Sequence, residues 1–203
     1  MAIVSAAILT DNLKKAKSLA KRFKKADYIQ FDVINDTFVP GKTLWADEIA
    51  SLKIKHPLEI HLMIEKPERY LSEFLKCNPK RIIFHIETTK NILSIIKRLR
   101  KENVEVGIAL NPETNIKKIM PYLIKSDLIL VMTVHPGKQN QAFLLNQLSK
   151  IQQIRKLSAI DIGVDGGINK KTAKLAVKAG ATTITSGSYL AKRSSAIGLF
   201  KKL

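Results

Sequence analysis

The chain has 203 residues, 45% of them hydrophobic and 26% charged, with one cysteine; this is the make-up of a single globular domain that folds without a disulfide or structural metal in a reducing, cytoplasmic setting. No apolar run comes near the roughly 20 residues a membrane helix needs, and the opening MAIVSAAIL lacks the basic start of a signal peptide. The 35 Lys and Arg against 17 Asp and Glu leave a net charge of +18, but the basic residues are dispersed, aromatics are 6% and no nucleic-acid motif occurs, so the field suits a phosphorylated small molecule and not dedicated nucleic-acid binding.

Short β-type runs alternate with helical patterns along the whole chain. Strands are predicted over 3–9, 28–33, 58–63, 81–86, 104–110, 128–134, 160–164 and 182–185. Each is followed by a helical pattern, in order 11–24, 46–52, 67–76, 90–102, 114–123, 141–157, 169–179 and 188–200. The strands are short and continuously apolar, as strands covered on both faces are, and strict alternation with helices requires parallel pairing through right-handed crossovers. Eight such units can close into a ring, which removes the open edges a doubly wound sheet would keep. The expectation is a single-domain (β/α)8 TIM barrel over residues 1–203, with no linker or second domain.

In such a barrel the chemistry sits at the C-terminal ends of the strands. Those ends carry Gln30 and Asp32, His61, His85 and Glu87, Asn111, His135, Asp165 and Ser186. Gln30 and Asp32 are two apart and share one side of their strand. Polar groups facing the inside of a barrel must be hydrogen-bonded or bind something. Asp32, His61 and Asp165 make a carboxylate, imidazole and carboxylate set suited to Zn or another divalent transition ion. The bland alternatives are Asp165 as a cap for the next helix and His85 as a satisfied core imidazole. His56, before Pro57 in a loop, reads as solvated. Gly166 and Gly167 after the seventh strand, and Ser186, Gly187 and Ser188 after the eighth, fall where this fold cradles phosphate on backbone N–H groups.

The segments AAILTDNL, FDVINDTFVP, IHLMIEKPERYL, FHIE, GIALNPET, VMTVHPGKQNQAF, VDGGIN and AGATTITSGS, in this order, resemble the ribulose-phosphate 3-epimerase family. The resemblance implies an isomerase of the pentose phosphate pathway that interconverts D-ribulose 5-phosphate and D-xylulose 5-phosphate. It implies Asp32 and Asp165 as the proton-transfer pair, a divalent metal (Zn, Mn, Fe or Co) on Asp32, His61 and Asp165, and Met63 and Met132 in the substrate cavity. It also implies phosphate contacts at Gly166, Gly167, Ser186, Gly187 and Ser188, with Gly137 and Lys138 in the loop after the sixth strand.

The departures lie at the site. The family's His-x-Asp-x-Met-Asp-Gly reads Gln30, Phe31, Asp32, Val33, Ile34, Asn35, Asp36, so a metal imidazole has become an amide and a cavity methionine has become Ile34. Gln30 is therefore expected to be a weak fourth ligand that lowers affinity for Zn and favours a harder ion. The family serine of the first strand is Ala7, and two glycines after the sixth strand are absent, where Lys138 can supply charge instead. These changes leave two alternatives: an epimerase of another ketose phosphate such as a hexulose 6-phosphate, or a non-catalytic relative that binds sugar phosphates or other anions. Decarboxylases and synthases sharing the barrel resemble an Asp-x-Lys pattern at the third strand, where this chain has His61, Leu62, Met63. A phosphorylated ketose is the expected partner, and a homo-oligomer is compatible with the sequence.

Overall fold

The computed structural model describes residues 1–203. In chain order its elements are β1 (Ile3–Ile8), α1 (Leu13–Arg22), β2 (Tyr28–Ile34), α2 (Ala46–Ser51), β3 (Leu58–Met63), α3 (Leu71–Leu75), β4 (Arg81–His85) and α4 (Ile92–Lys101). They continue with β5 (Glu105–Leu110), β6 (Leu128–Met132), α5 (Gln147–Leu157), β7 (Asp161–Asp165), α6 (Lys170–Ala179), β8 (Thr183–Ser186), α7 (Ser188–Lys192) and α8 (Ala196–Lys201). All strands pair in parallel with their sequence neighbours, and β8 returns to β1 to close the barrel. This is the expected (β/α)8 architecture. No helix is long and apolar enough to cross a membrane.

Strand alternation divides the apolar residues between two layers. Ile29, Phe31 and Val33 of β2 join one continuous core with helix residues such as Ile92, Ile95, Ile96 and Leu99 of α4, whose spacing puts all four on one helix face. Ile83, Ala109, Leu128, Leu130 and Met132 form a separate small cluster inside the barrel. The opposite parity of β2 sends Gln30 and Asp32 to that interior. At the N-terminal end the interior is closed by buried charges: Arg81 donates to Glu59 at 2.8 Å and to Glu105 at 2.7 Å, and Ser5 Oγ donates to Glu59 at 2.8 Å.

Several helices differ from the sequence expectation. In place of a helix over 114–123 there are two 3-10 turns, Ile116–Lys118 and Met120–Tyr122, because Pro121 has no N–H to give and disfavours helical geometry before it. The predicted helix at 141 starts only at Gln147, since Leu144 N donates to Thr133 O and ties the preceding segment to the barrel mouth. The last pattern is split into α7 and α8. The helix predicted over 67–76 begins as a 3-10 turn at Pro67–Arg69. β6 ends at Met132, two residues early, because Thr133 turns to donate from both N and Oγ1 to Asp165 O.

Candidate active site

Register brings the polar strand residues together. Asp32 pairs across the ladder with His61, and Asp165 lies between Met132 and Thr185. The oxygens of Asp32 and Asp165 and a ring nitrogen of His61 lie within 4.8 Å of one another. His61 Nδ1 is 3.2 Å from Asp32 Oδ1 and 3.7 Å from Asp165 Oδ2. Asp165 is not the cap of α6: Asn169 accepts from Lys171 N and Thr172 N and completes a capping box with Thr172. That releases the Asp165 carboxylate for the cavity.

Gln30 lies beneath this trio, fully buried. Its Nε2 donates to Asp32 Oδ1 at 2.7 Å and to Asp165 Oδ2 at 2.9 Å, while Oε1 is buried without a partner. Expected to offer its carbonyl as a fourth ligand, Gln30 instead presents its amide hydrogens, because an acceptor set against two carboxylate oxygens would be repelled. The other two oxygens, Asp32 Oδ2 and Asp165 Oδ1, make no hydrogen bond. A reacting carbon needs about 3–3.5 Å to each of two flanking groups. One oxygen of each carboxylate lies within 4.8 Å of the other, too close for a carbon with that clearance on both sides, which leaves the two oxygens without a hydrogen bond as the ones open to a ligand.

The electrostatics are lopsided. Burial first, and then repulsion from Asp32, push the Asp165 carboxyl up to about 7. Burial works against a proton on His61, but its hydrogen bond to Asp32 and the charges of Asp32 and Asp165 outweigh it and raise that imidazole. His85 stacks on His61 with ring centroids 5.0 Å apart, and the two Nε2 atoms are 2.9 Å apart. Burial lowers His85 to about 4, so it is neutral. Its Nδ1 is 3.4 Å from Glu87 Oε2. Burial opposes the charge on Glu87, but His85, Thr114 and the backbone N–H of Asn111 bring it down to about 2. His85 is thus a core imidazole as the bland alternative had it, but only half satisfied: its Nε2 meets His61 and its Nδ1 has no hydrogen-bond partner.

One cavity is lined by Asp32, His61, Met63, Met132, Asp165 and the loops after β6, β7 and β8, including Gly137, Lys138, Gly166, Gly167, Ser186, Gly187 and Ser188. Gly166 and Gly167 have φ of 114° and 63°, and a Cβ on Gly167 would stand 2.5 Å from Phe143 N. The turn therefore needs glycine at both places. The backbone N–H groups of Gly166, Gly167, Ile168 and Gly187 find no acceptor in the protein, and all four residues face this cavity. Unpaired N–H groups converging on a space are an anion cradle. Ser186 is spent differently, its Oγ donating to Ile168 O at 3.2 Å to tie the two loops together.

Sequence reasoning passed over Gln139, Asn140 and Gln141, which also line the cavity; Gln141 holds its loop by donating to the carbonyls of His135 and Lys138. Ile34 packs on Val39 and Met63 at the rim. Of the strand-exit residues, His135 turns out to solvent beside Glu113 and takes no part. His56 is half-buried rather than solvated, its Nε2 2.7 Å from Ala26 O.

Asp32, His61 and Asp165 have the donor types and mutual distances of a divalent-ion site, but Gln30 Nε2 already bonds the two carboxylate oxygens that face His61, so the set as it stands does not offer an ion free donors.

The model of the ribulose-phosphate 3 epimerase family matches residues 3–191. The ribulose-phosphate 3-epimerase of Bacillus subtilis is 34% identical, with 80% of this chain and 79% of the relative covered. That of Schizosaccharomyces pombe is also 34% identical, covering 80% of this chain and 74% of the relative. Among solved structures, a 3-hexulose-6-phosphate synthase superposes with a TM-score of 0.74 at 16% identity, covering 100% of this chain and 98% of the other. KGPDC from Streptococcus mutans gives 0.75 at 13% identity, with 100% and 96% covered. At such identities these two share the fold alone.

Proposed function

This chain belongs to the ribulose-phosphate 3-epimerase family, and from that premise we propose that it interconverts D-ribulose 5-phosphate and D-xylulose 5-phosphate by proton transfer at C3 between Asp32 and Asp165. The observation that carries this reading is the pair of carboxylates from β2 and β7, each with one unbonded oxygen, lining a cavity that also holds unpaired backbone N–H groups. One carboxylate takes the C3 proton: the C3–H bond breaks, its electron pair forms a C2=C3 double bond, and the carbonyl pair moves to O2. The other carboxyl returns a proton to C3 from the opposite face, and the C2 carbonyl re-forms with C3 inverted.

Asp165, raised by burial and by Asp32, is the acid at the outset, and Asp32 is the base. In the reverse direction they exchange roles. His61, raised against burial by Asp32 and Asp165, turns its Nδ1 toward the pair as a donor. Met63 and Met132 pack against the reacting carbons without offering a proton. The N–H groups of Gly166, Gly167, Ile168 and Gly187, with Lys138 at the rim, take the phosphate. A divalent ion such as Zn, Mn, Fe or Co on Asp32, His61 and Asp165 would have to share the two carboxylate oxygens that Gln30 already bonds, so no step is assigned to one. A cytoplasmic setting goes with this reading, as in the relative named as the cytoplasmic isoform of rice.

The test is proton NMR in deuterium oxide with D-ribulose 5-phosphate, and in parallel with a 3-hexulose 6-phosphate. Deuterium entering C3 of the pentulose together with formation of xylulose 5-phosphate is the expected result. Faster exchange on the hexulose would move the substrate to that class. Binding of both sugars with exchange of neither would leave a sugar-phosphate-binding protein without catalysis.

A further inference from the structure

The bond pattern of Gln30 bears on how this site keeps two acids together. The two carboxylates converge from β2 and β7, with β1 and β8 between them in the ring, and their inner oxygens would repel each other with nothing between them. The group between them is the Gln30 amide, one hydrogen to each side, at 2.7 Å and 2.9 Å. The fold leaves Oε1 buried and unpaired to keep it so. Turning the amide over would satisfy neither carboxylate and would leave Nε2 unpaired in its stead. The two oxygens it holds, Asp32 Oδ1 and Asp165 Oδ2, are the same ones that face His61 Nδ1, and so the ones a cation between the three residues would need.

Resting on the epimerase reading, we propose that Gln30 is a positioning residue that stands in for the ion: its amide cross-links Asp32 and Asp165, competes with a divalent cation for the same two oxygens, and lets proton transfer proceed without metal. If Gln30 were only a poor ligand, removing it would weaken cation binding. If it is a competitor, removing it strengthens binding.

Two measurements on wild type, Gln30→Met and Gln30→His decide this: Mn²⁺ affinity by electron paramagnetic resonance of the free ion, and C3 deuterium exchange after dialysis against a chelator. Methionine keeps the length and packing of Gln30, has no hydrogen-bonding amide, and its thioether is a poor ligand for Mn²⁺. Should Gln30→Met fail to fold, Gln30→Asn withdraws the amide by one methylene and serves the same comparison. We expect wild type to keep its exchange rate within about twofold after chelation, and Gln30→Met to bind Mn²⁺ about 10-fold or more tightly than wild type, in the range by which neighbours of ligands alter affinity. Gln30→His, with a true fourth ligand, should bind tightest and become chelator-sensitive. Weaker Mn²⁺ binding by Gln30→Met, or wild-type exchange that is abolished by chelation and restored by Mn²⁺, would overturn the proposal. Absence of exchange in wild type with and without Mn²⁺ would sink the epimerase reading and the claim of metal-free transfer with it, and the order of Mn²⁺ affinities would then decide the competition by itself.

Discussion

At the base of the barrel, Glu59 accepts from Ser5 and Arg81, Arg81 donates on to Glu105, and its guanidinium lies over the Tyr28 ring at 4.7 Å. At the mouth, Asp32 and Asp165 share a single amide and one imidazole, each keeps an oxygen free, and Gln30 Oε1 has no partner. Both clusters lie inside one sheet, but only in the first does every carboxylate meet a permanent cation, Glu59 on Arg81 and Glu105 on Arg81 and Lys80. A buried charge with its partners complete is fixed and has nothing left to offer a ligand. The surplus of acid at the mouth has no structural counterpart, and that surplus is what a proton, a cation or a sugar can answer. The informative buried polar group is the one left incomplete.

The largest expected effect separates the two ends by chemistry. Asp32→Asn or Asp165→Asn should lower C3 exchange by about 10²–10⁴-fold, the usual weight of a positioned acid or base, with the circular dichroism spectrum unchanged. Glu59→Gln at the base should leave exchange per folded molecule nearly untouched. Next comes stability. Arg81→Met strands Glu59 in the interior and should cost about 3–5 kcal/mol in urea unfolding, most of it recovered when Glu59→Leu is added. An unchanged midpoint for the single variant would erase the contrast. Gly167→Ala forces a Cβ against the Phe143 backbone at a left-handed φ of 63° and should raise the sugar-phosphate KM by about tenfold through displacement of the cradle.

A smaller effect depends on pH. The folded state holds the Asp165 proton up to about 7 whereas the unfolded chain loses it near 3.8, so the group's contribution to stability is highest below pH 4 and declines as pH rises to 7. Asp165→Asn removes that decline. Its melting temperature relative to wild type should grow by a few degrees between pH 4 and pH 8 in metal-free buffer. Glu87, held down to about 2, has the opposite sign: its contribution is present above pH 4.5 and is lost as pH falls toward 2. Glu87→Gln should therefore destabilise at pH 7 and much less near pH 2. The smallest change expected is for exposed Lys138. Its substitution by Ala should raise KM about two- to fivefold at low salt and less at high salt, because ions screen an exposed charge.

The barrel itself was legible in the chain because alternation of apolar strands with amphipathic helices is a local property, repeated eight times. Where local signals misled, a single nearby group decided: Pro121 broke the fifth helix into 3-10 turns, and the bond from Leu144 to Thr133 delayed the sixth. Within the site, Asp32, His61, Asp165 and the Gly166-Gly167 turn could be found because each lies at a strand end. Gln139 and Gln141 could not, since they sit in a loop whose path depends on carbonyls it caps. His135 and His85 share the same sequence signal, yet one points to solvent and the other to the centre.

Composition and periodicity alone determined the parallel closed sheet, its polar mouth and the residue types gathered there, because side-chain direction in a strand follows from counting by two. Only the folded barrel decided what those residues do to one another. Gln30 and Asp165 are 135 positions apart in the chain, and whether the amide meets the carboxylate with its nitrogen or its oxygen depends on the charges converging from β2 and β7. Hydrogen bonding and repulsion act over a few ångströms in space, and no pattern along the backbone encodes which distant atoms will come that close.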